Sequence, residues 1–128
     1  MNDLSIEVYI SEREKILFTY LYDDGWTYTF SVMIRVGSFQ GEVEFNLQKS
    51  TIEEYVVMCE KVSADSLGSV LIRDEVTDYY ISFVLNPKSK VNVNGKIGGY
   101  YDKNTFTFEF KTDPSIIGSM RAALQNLI

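Results

Sequence analysis

The feature that most constrains the fold is a period of two in the hydrophobic residues, which recurs along most of the chain. Between residues 26 and 36, aromatic and aliphatic side chains occupy every second position, and most positions between them are polar. Because successive side chains of a strand point to opposite faces of a sheet, this pattern is typical of a strand with one apolar face and one solvated face. Such a sheet needs helices or a second sheet to cover its apolar face.

The same alternation predicts strands on both sides of a central helical segment. Asp23-Asp24-Gly25 separates two of them and is typical of a tight hairpin turn, because glycine supplies the positive φ that such a turn requires. The segments predicted as strands are residues 4–10, 16–22, 26–36, 39–48, 69–73, 79–85, 91–97 and 105–111.

Two segments change to a helical period. Residues 50–53, Ser-Thr-Ile-Glu, fit a capping box, and the apolar residues that follow recur at helical spacing. Asp113-Pro114 opens a second amphipathic segment, since proline is tolerated at the first helical position. The predicted fold is α+β: a curved, mostly antiparallel sheet of seven or eight strands in the order meander, helix, meander, helix. Both helices cover its apolar face, and residues 1–128 form a single domain.

Composition excludes several classes of function. The chain has no histidine and one cysteine, Cys59, which rules out an intrachain disulfide and the usual zinc ligand sets. The formal net charge of −6 disfavours nucleic acid, and no apolar run approaches the ~20 residues of a membrane span. We therefore expect a cytoplasmic protein that has no cofactor or metal, does not act on nucleic acid or membrane, and is not an enzyme.

Some residues leave other chemistries open. Glu42 and Glu44 share one face of a strand and could serve a carboxylate-based hydrolase, although any solvated strand face produces such pairs. The turn acids at 23–24 and 74–78 could bind calcium, but they lack the spacing of a known calcium loop and are more typical of solvated turns. The aromatic residues could also line a small-molecule cavity between sheet and helices.

Three landmarks resemble one known family. They are Asp24-Gly25-Trp26 opening a strand before Phe39-Gln40-Gly41, the helical segment 51–55 followed by Gly68, and the alternating run 106–113 leading into the final helix. In order and spacing, residues 4–127 resemble the WapI-type immunity proteins, small bacterial proteins that neutralise the toxic C-terminal domain of a wall-associated polymorphic toxin. Pro114 departs from the polar residue expected after the aspartate.

The resemblance implies an immunity protein that binds a cognate toxin domain and occludes its active site, as a monomer or a small homo-oligomer. If the toxin is basic, acidic residues on the polar strand positions and in the first turn would be natural contacts, with the lone tryptophan as an anchor. The predicted partner-binding residues are Asp23, Asp24, Trp26, Glu42, Glu44 and Glu109. The alternative from a different class is a small-molecule binding module with an aromatic cavity.

Overall fold

The structure, a computed structural model, describes residues 5–88, 90–101 and 103–128, so residues 1–4, 89 and 102 of the predicted domain lie outside the described residues. It has eight strands and two helices. These are β1 (Ser5–Ser11), β2 (Glu14–Asp23), β3 (Thr27–Val36), β4 (Phe39–Gln48), α1 (Lys49–Asp65), β5 (Gly68–Arg73), β6 (Tyr80–Leu85), β7 (Val91–Gly98), β8 (Thr105–Thr112) and α2 (Ser115–Asn126).

The α+β class and the antiparallel strand order are confirmed, but the single curved sheet is wrong. The strands form two four-stranded sheets, which we call sheet 1 (β1–β4) and sheet 2 (β5–β8), each with its strands in chain order. The physical reason lies between β4 and β5, where the 17-residue helix α1 carries the chain away from sheet 1. The next strand therefore starts a new sheet and does not pair with β4.

The two sheets meet where β4 crosses one end of sheet 2. Near the start of β4, Gly41 lies so close to sheet 2 that a Cβ added to it would be 2.8 Å from Ile97 Cδ1 and 2.9 Å from Phe106 Cδ2. Near its end, β4 is hydrogen-bonded to the loop between β5 and β6, since Glu75 N–H donates to Asn46 O at 3.0 Å. We call residues 74–79 the bridging loop.

One hydrophobic core joins both sheets and both helices. On β3, Phe30, Val32 and Ile34 are fully buried on the inner face, as the alternation predicts. The solvated outer face predicted for this strand is wrong at its middle, because Thr29, Ser31 and Met33 are buried as well. Both helices pack their apolar stripes into this core, as predicted. Cys59 is buried in the stripe of α1, where desolvation raises the pKa of its thiol to about 11. The stripes consist of Ile52, Val56, Cys59 and Val62 in α1 and Ile116, Ile117, Met120, Ala123 and Leu124 in α2.

The helix starts differ in how well they were predicted. The capping box at residues 50–53 is wrong: α1 begins at Lys49, Ser50 already lies inside the helix, and no side chain caps the preceding Gln48. At α2, the carboxylate of Asp113 accepts a hydrogen bond from Ser115 N–H at 2.8 Å, which agrees with the predicted capping role of this aspartate. In the described part of the chain, neither helix is long and apolar enough to cross a membrane.

Candidate functional site

The predicted partner-binding residues lie in three places. Asp23, Asp24 and Trp26 are brought together where β2 turns into β3. Glu42 and Glu44 are exposed on β4, and Glu109 is exposed on β8, in the other sheet. The structure therefore joins the first three residues into one compact unit and places Glu109 on a different sheet. We call residues 23–26 the acidic turn.

Hydrogen bonds to the two aspartates hold the backbone of the acidic turn. Asp24 Oδ1 accepts from the N–H groups of Thr27 at 2.8 Å and Trp26 at 2.9 Å, and Asp23 Oδ1 accepts from Gly25 N–H at 2.9 Å. Gly25 has φ +90°, a conformation that glycine adopts readily. The hydrogen bonds from Thr27 and then Trp26 favour the ionised carboxylate and lower the pKa of Asp24.

Further contacts tie the acidic turn to its neighbours. Lys49 N–H, at the start of α1, donates to Trp26 O at 3.1 Å. On the strand side, the Tyr20 hydroxyl donates to Asp23 Oδ2, and this hydrogen bond is the main reason why the pKa of Tyr20 is raised. The turn is thus held by β2 on one side and by α1 on the other, so its conformation is set before any partner binds.

The acidic turn presents a large aromatic side chain to solvent. Trp26 precedes β3, and 80% of its surface is exposed, although its sequence parity matches the buried Phe30. Tyr22 on the adjoining end of β2 is 60% exposed. Exposed tryptophan and tyrosine on a rigid backbone are typical of residues that anchor a protein partner. Tyr22 was not among the predicted site residues, because alternation alone does not distinguish a strand end from its buried middle.

The other predicted carboxylates have different surroundings. Glu42 accepts a hydrogen bond from the Ser31 hydroxyl at 2.6 Å, and Glu44 is paired across the strands with the same serine. Both lie on the outer face of sheet 1, away from the core. Within the described residues, no three acidic or sulfur side chains converge closely enough to hold a metal ion.

The clefts of the molecule bear on the small-molecule alternative. An open cleft of about 460 Å³ lies on sheet 2, where Tyr80, Asn94, Thr107 and Glu109 contribute to its lining. These side chains alternate with the core residues of β6–β8, so the cleft is on the outer face of the sheet. Aromatic residues in the core pack on one another instead, with the ring centres of Phe18 and Phe30 5.8 Å apart and those of Phe30 and Phe45 6.1 Å apart.

Sequence reasoning missed the role of Asp74, which it grouped with solvated turn acids. Asp74 is only 5% exposed, and its carboxylate accepts hydrogen bonds from Asn46 N–H on β4 and from Thr77 N–H and Oγ1 within the bridging loop. Glu75 Oε2 also accepts from Gln48 N–H, at 2.6 Å. The one local signal was the threonine three residues after Asp74, a spacing typical of aspartates that bind their own loop.

No family model and no curated protein matches this chain. The acidic turn is therefore assessed on its own chemistry: an exposed indole, two carboxylates and a hydrogen-bonded backbone. These groups can bind a cation and an apolar surface together, and the turn itself contains no nucleophile paired with a base.

Proposed function

We propose that this protein is an immunity protein that binds a cognate polymorphic toxin domain in the bacterial cytoplasm and blocks its active site, without catalysis of its own. The observation that carries the proposal is the exposed Trp26 on a turn that its own aspartates hold rigid. A preformed aromatic anchor loses little conformational entropy on binding, so more of its contact energy contributes to affinity.

The charge of the acidic turn suggests the chemistry of the partner surface. Asp23 and Asp24 precede Trp26 by three and two residues, and the whole protein has a formal net charge of −6. An arginine-rich toxin surface fits this arrangement, because a guanidinium group can stack on the indole while it hydrogen-bonds a carboxylate. Long-range attraction between the acidic protein and a basic toxin would also accelerate their association.

Glu42 and Glu44 would extend the same acidic surface. They lie on the outer face of β4, and Gln48 at the end of that strand is paired with Thr27, the residue directly after the acidic turn. Glu109, on sheet 2, is not needed for this surface. The proposed contact therefore runs from the acidic turn along β4.

Co-expression with the toxin tests this proposal. The genes beside this one are searched for a large secreted protein, and the C-terminal domain of that protein is expressed in bacteria with and without the full chain. We expect the chain to restore growth and to co-elute with the toxin domain as one complex. Continued cell death together with separate elution of the two proteins would contradict the proposal.

The lone tryptophan allows contact with the acidic turn to be observed directly. A 5-fluorotryptophan label on Trp26 gives a single ¹⁹F NMR signal, which we expect to shift on addition of the unlabelled toxin domain and to become protected from solvent. If a complex forms while this signal stays unchanged, the protein binds toxin through another surface and the site assignment is wrong.

A further inference from the structure

Each of the two sheets has two edge strands, and three of these four strands are hydrogen-bonded to another segment along the edge or have a helix packed against them. The edge of β4 is hydrogen-bonded to the bridging loop through Asn46 and Gln48. Along β5, helix α1 packs against the strand, and the Tyr55 hydroxyl accepts the outward N–H of Arg73 at 3.2 Å. Helix α2 packs against β1, whose register is also broken between Tyr9 and Ser11.

The fourth edge strand, β8, is different. Within the described residues, no hydrogen bond leads from β8 to any segment other than its neighbour β7. The strand is eight residues long, pairs with β7 without a register break and contains no proline. A long, regular edge with free backbone donors and acceptors is a template for pairing with another strand.

We infer that β8 pairs antiparallel with β8 of a second copy of this chain, with Phe110 at the centre of the paired segment. The faces of the strand limit the possible registers. Phe108 and Phe110 point to the core, and Glu109 and Lys111 point to solvent. Residues directly opposite each other in an antiparallel pair point to the same face of the sheet. If both cores lie on one side of the joined sheet, core-facing residues of one copy must therefore lie opposite core-facing residues of the other, since a one-residue slip would turn one core to the opposite face.

Charge distinguishes the registers that remain. A pair centred on Glu109 or on Lys111 places like charges opposite each other, and directly opposed like charges destabilise a sheet. A pair centred on Phe108 places Glu109 opposite Thr107 and gains no charge contact. A pair centred on Phe110 places Glu109 opposite Lys111 of the second copy, and the twofold symmetry repeats this contact. The pairing joins the two copies of sheet 2 into one sheet of eight strands, while the acidic turn belongs to sheet 1.

Sedimentation velocity on the full chain over a wide concentration range tests the inference. We expect the wild type to dimerise and Lys111→Glu to weaken the dimer about 10-fold, because both cross-strand contacts become repulsive. Glu109→Lys has the same expected effect, and the double reversal Glu109→Lys/Lys111→Glu is expected to restore the dimer to within about 3-fold of wild type. The matched control, Lys61→Glu, makes the same charge change on an exposed residue of α1.

Each outcome bears on the inference. A wild type that stays monomeric at every concentration overturns it. A dimer that is insensitive to Lys111→Glu, or weakened equally by Lys61→Glu, overturns the proposed register. Circular dichroism spectra of the single variants that match wild type show that a lost dimer reflects pairing and not misfolding.

Discussion

The acidic turn and the bridging loop have similar chemistry and different uses. In each, one aspartate accepts hydrogen bonds from backbone N–H groups a few residues ahead: Asp24 from Trp26 and Thr27, and Asp74 from Thr77. Among the described residues, the carboxylate of Asp24 accepts hydrogen bonds only from Trp26 and from Thr27 at the start of β3, whereas Asp74 also accepts from Asn46 on β4, 28 residues away. The acidic turn presents Trp26 to solvent, whereas the bridging loop forms hydrogen bonds that join sheet 1 to sheet 2.

This difference shows that an aspartate-rich turn is not by itself a binding surface. Asp24 and Asp74 differ in burial and in whether the second carboxylate oxygen accepts a hydrogen bond from the protein. Asp74 uses both oxygens within the protein and is buried, so little of it remains for a partner. At the acidic turn, the carboxylates are exposed and the adjoining side chain is an exposed tryptophan. We therefore expect changes in the bridging loop to alter stability and changes in the acidic turn to alter binding.

The largest expected effect comes from Asp74→Ala. This change leaves Asn46 N–H on β4 and Thr77 N–H without their acceptor. Because unsatisfied buried donors are costly, we expect the free energy of unfolding to fall by about 2–4 kcal/mol. Urea denaturation followed by circular dichroism measures it. The control, Asp78→Ala, removes an exposed acid of the same loop, and an equal loss in both variants would contradict a special role for Asp74.

The next effect is on binding. Trp26→Ala is expected to weaken binding to the toxin domain by about 2 kcal/mol, roughly 30-fold, and to change the free energy of unfolding by less than about 0.5 kcal/mol. Isothermal titration calorimetry and urea denaturation measure the two quantities. Phe39→Ala is the matched control, because Phe39 is a 71% exposed aromatic residue just after the β3–β4 turn, at the other end of sheet 1. Equal weakening by both variants would show that the contact is not specific to the acidic turn.

The strands and helices were predictable because their signals are local. Alternation located all eight strands, and helical spacing identified both stripes, since each depends only on residues within one element. The number of sheets was not predictable in this way, because it depends on how β4 meets the end of sheet 2. The start of α1 was also missed, because no local side chain caps it. Its first N–H, that of Lys49, binds Trp26 O of the acidic turn, and the N–H of the preceding Gln48 binds Glu75 of the bridging loop.

The candidate site was predictable in part for the same reason. Asp23, Asp24 and Trp26 are neighbours in the chain, so the Asp-Gly turn signal was enough to group them. The burial of Asp74 depends on Asn46, a distant residue, and no pattern within the loop specifies that contact. Whether these residues bind a partner remains a prediction, since binding depends on a surface outside the chain.

The smallest effect expected is the response of the acidic turn to acid. Hydrogen bonds from Thr27 and Trp26 lower the pKa of Asp24, so the folded protein holds the ionised carboxylate more strongly than the unfolded chain does. The resulting stabilisation is fully present above the ordinary aspartate pKa of about 4, and it is lost as the pH falls through the lowered pKa. We expect ¹³C NMR to show Asp24 titrating below that range, with the Trp26 and Thr27 amide shifts following it.

An internal reference and a variant make this test specific. Asp113, whose pKa is also lowered by a hydrogen bond from Ser115, reports on the same acid range at α2, far along the chain from the acidic turn. Asp24→Asn should abolish the acid response of the Trp26 and Thr27 amides and leave that of Ser115 in place. If the Trp26 and Thr27 amides still titrate in this variant, a group other than Asp24 orders the acidic turn. The comparison of Asp24 with Asp74 would then not explain how the acidic turn differs from the bridging loop.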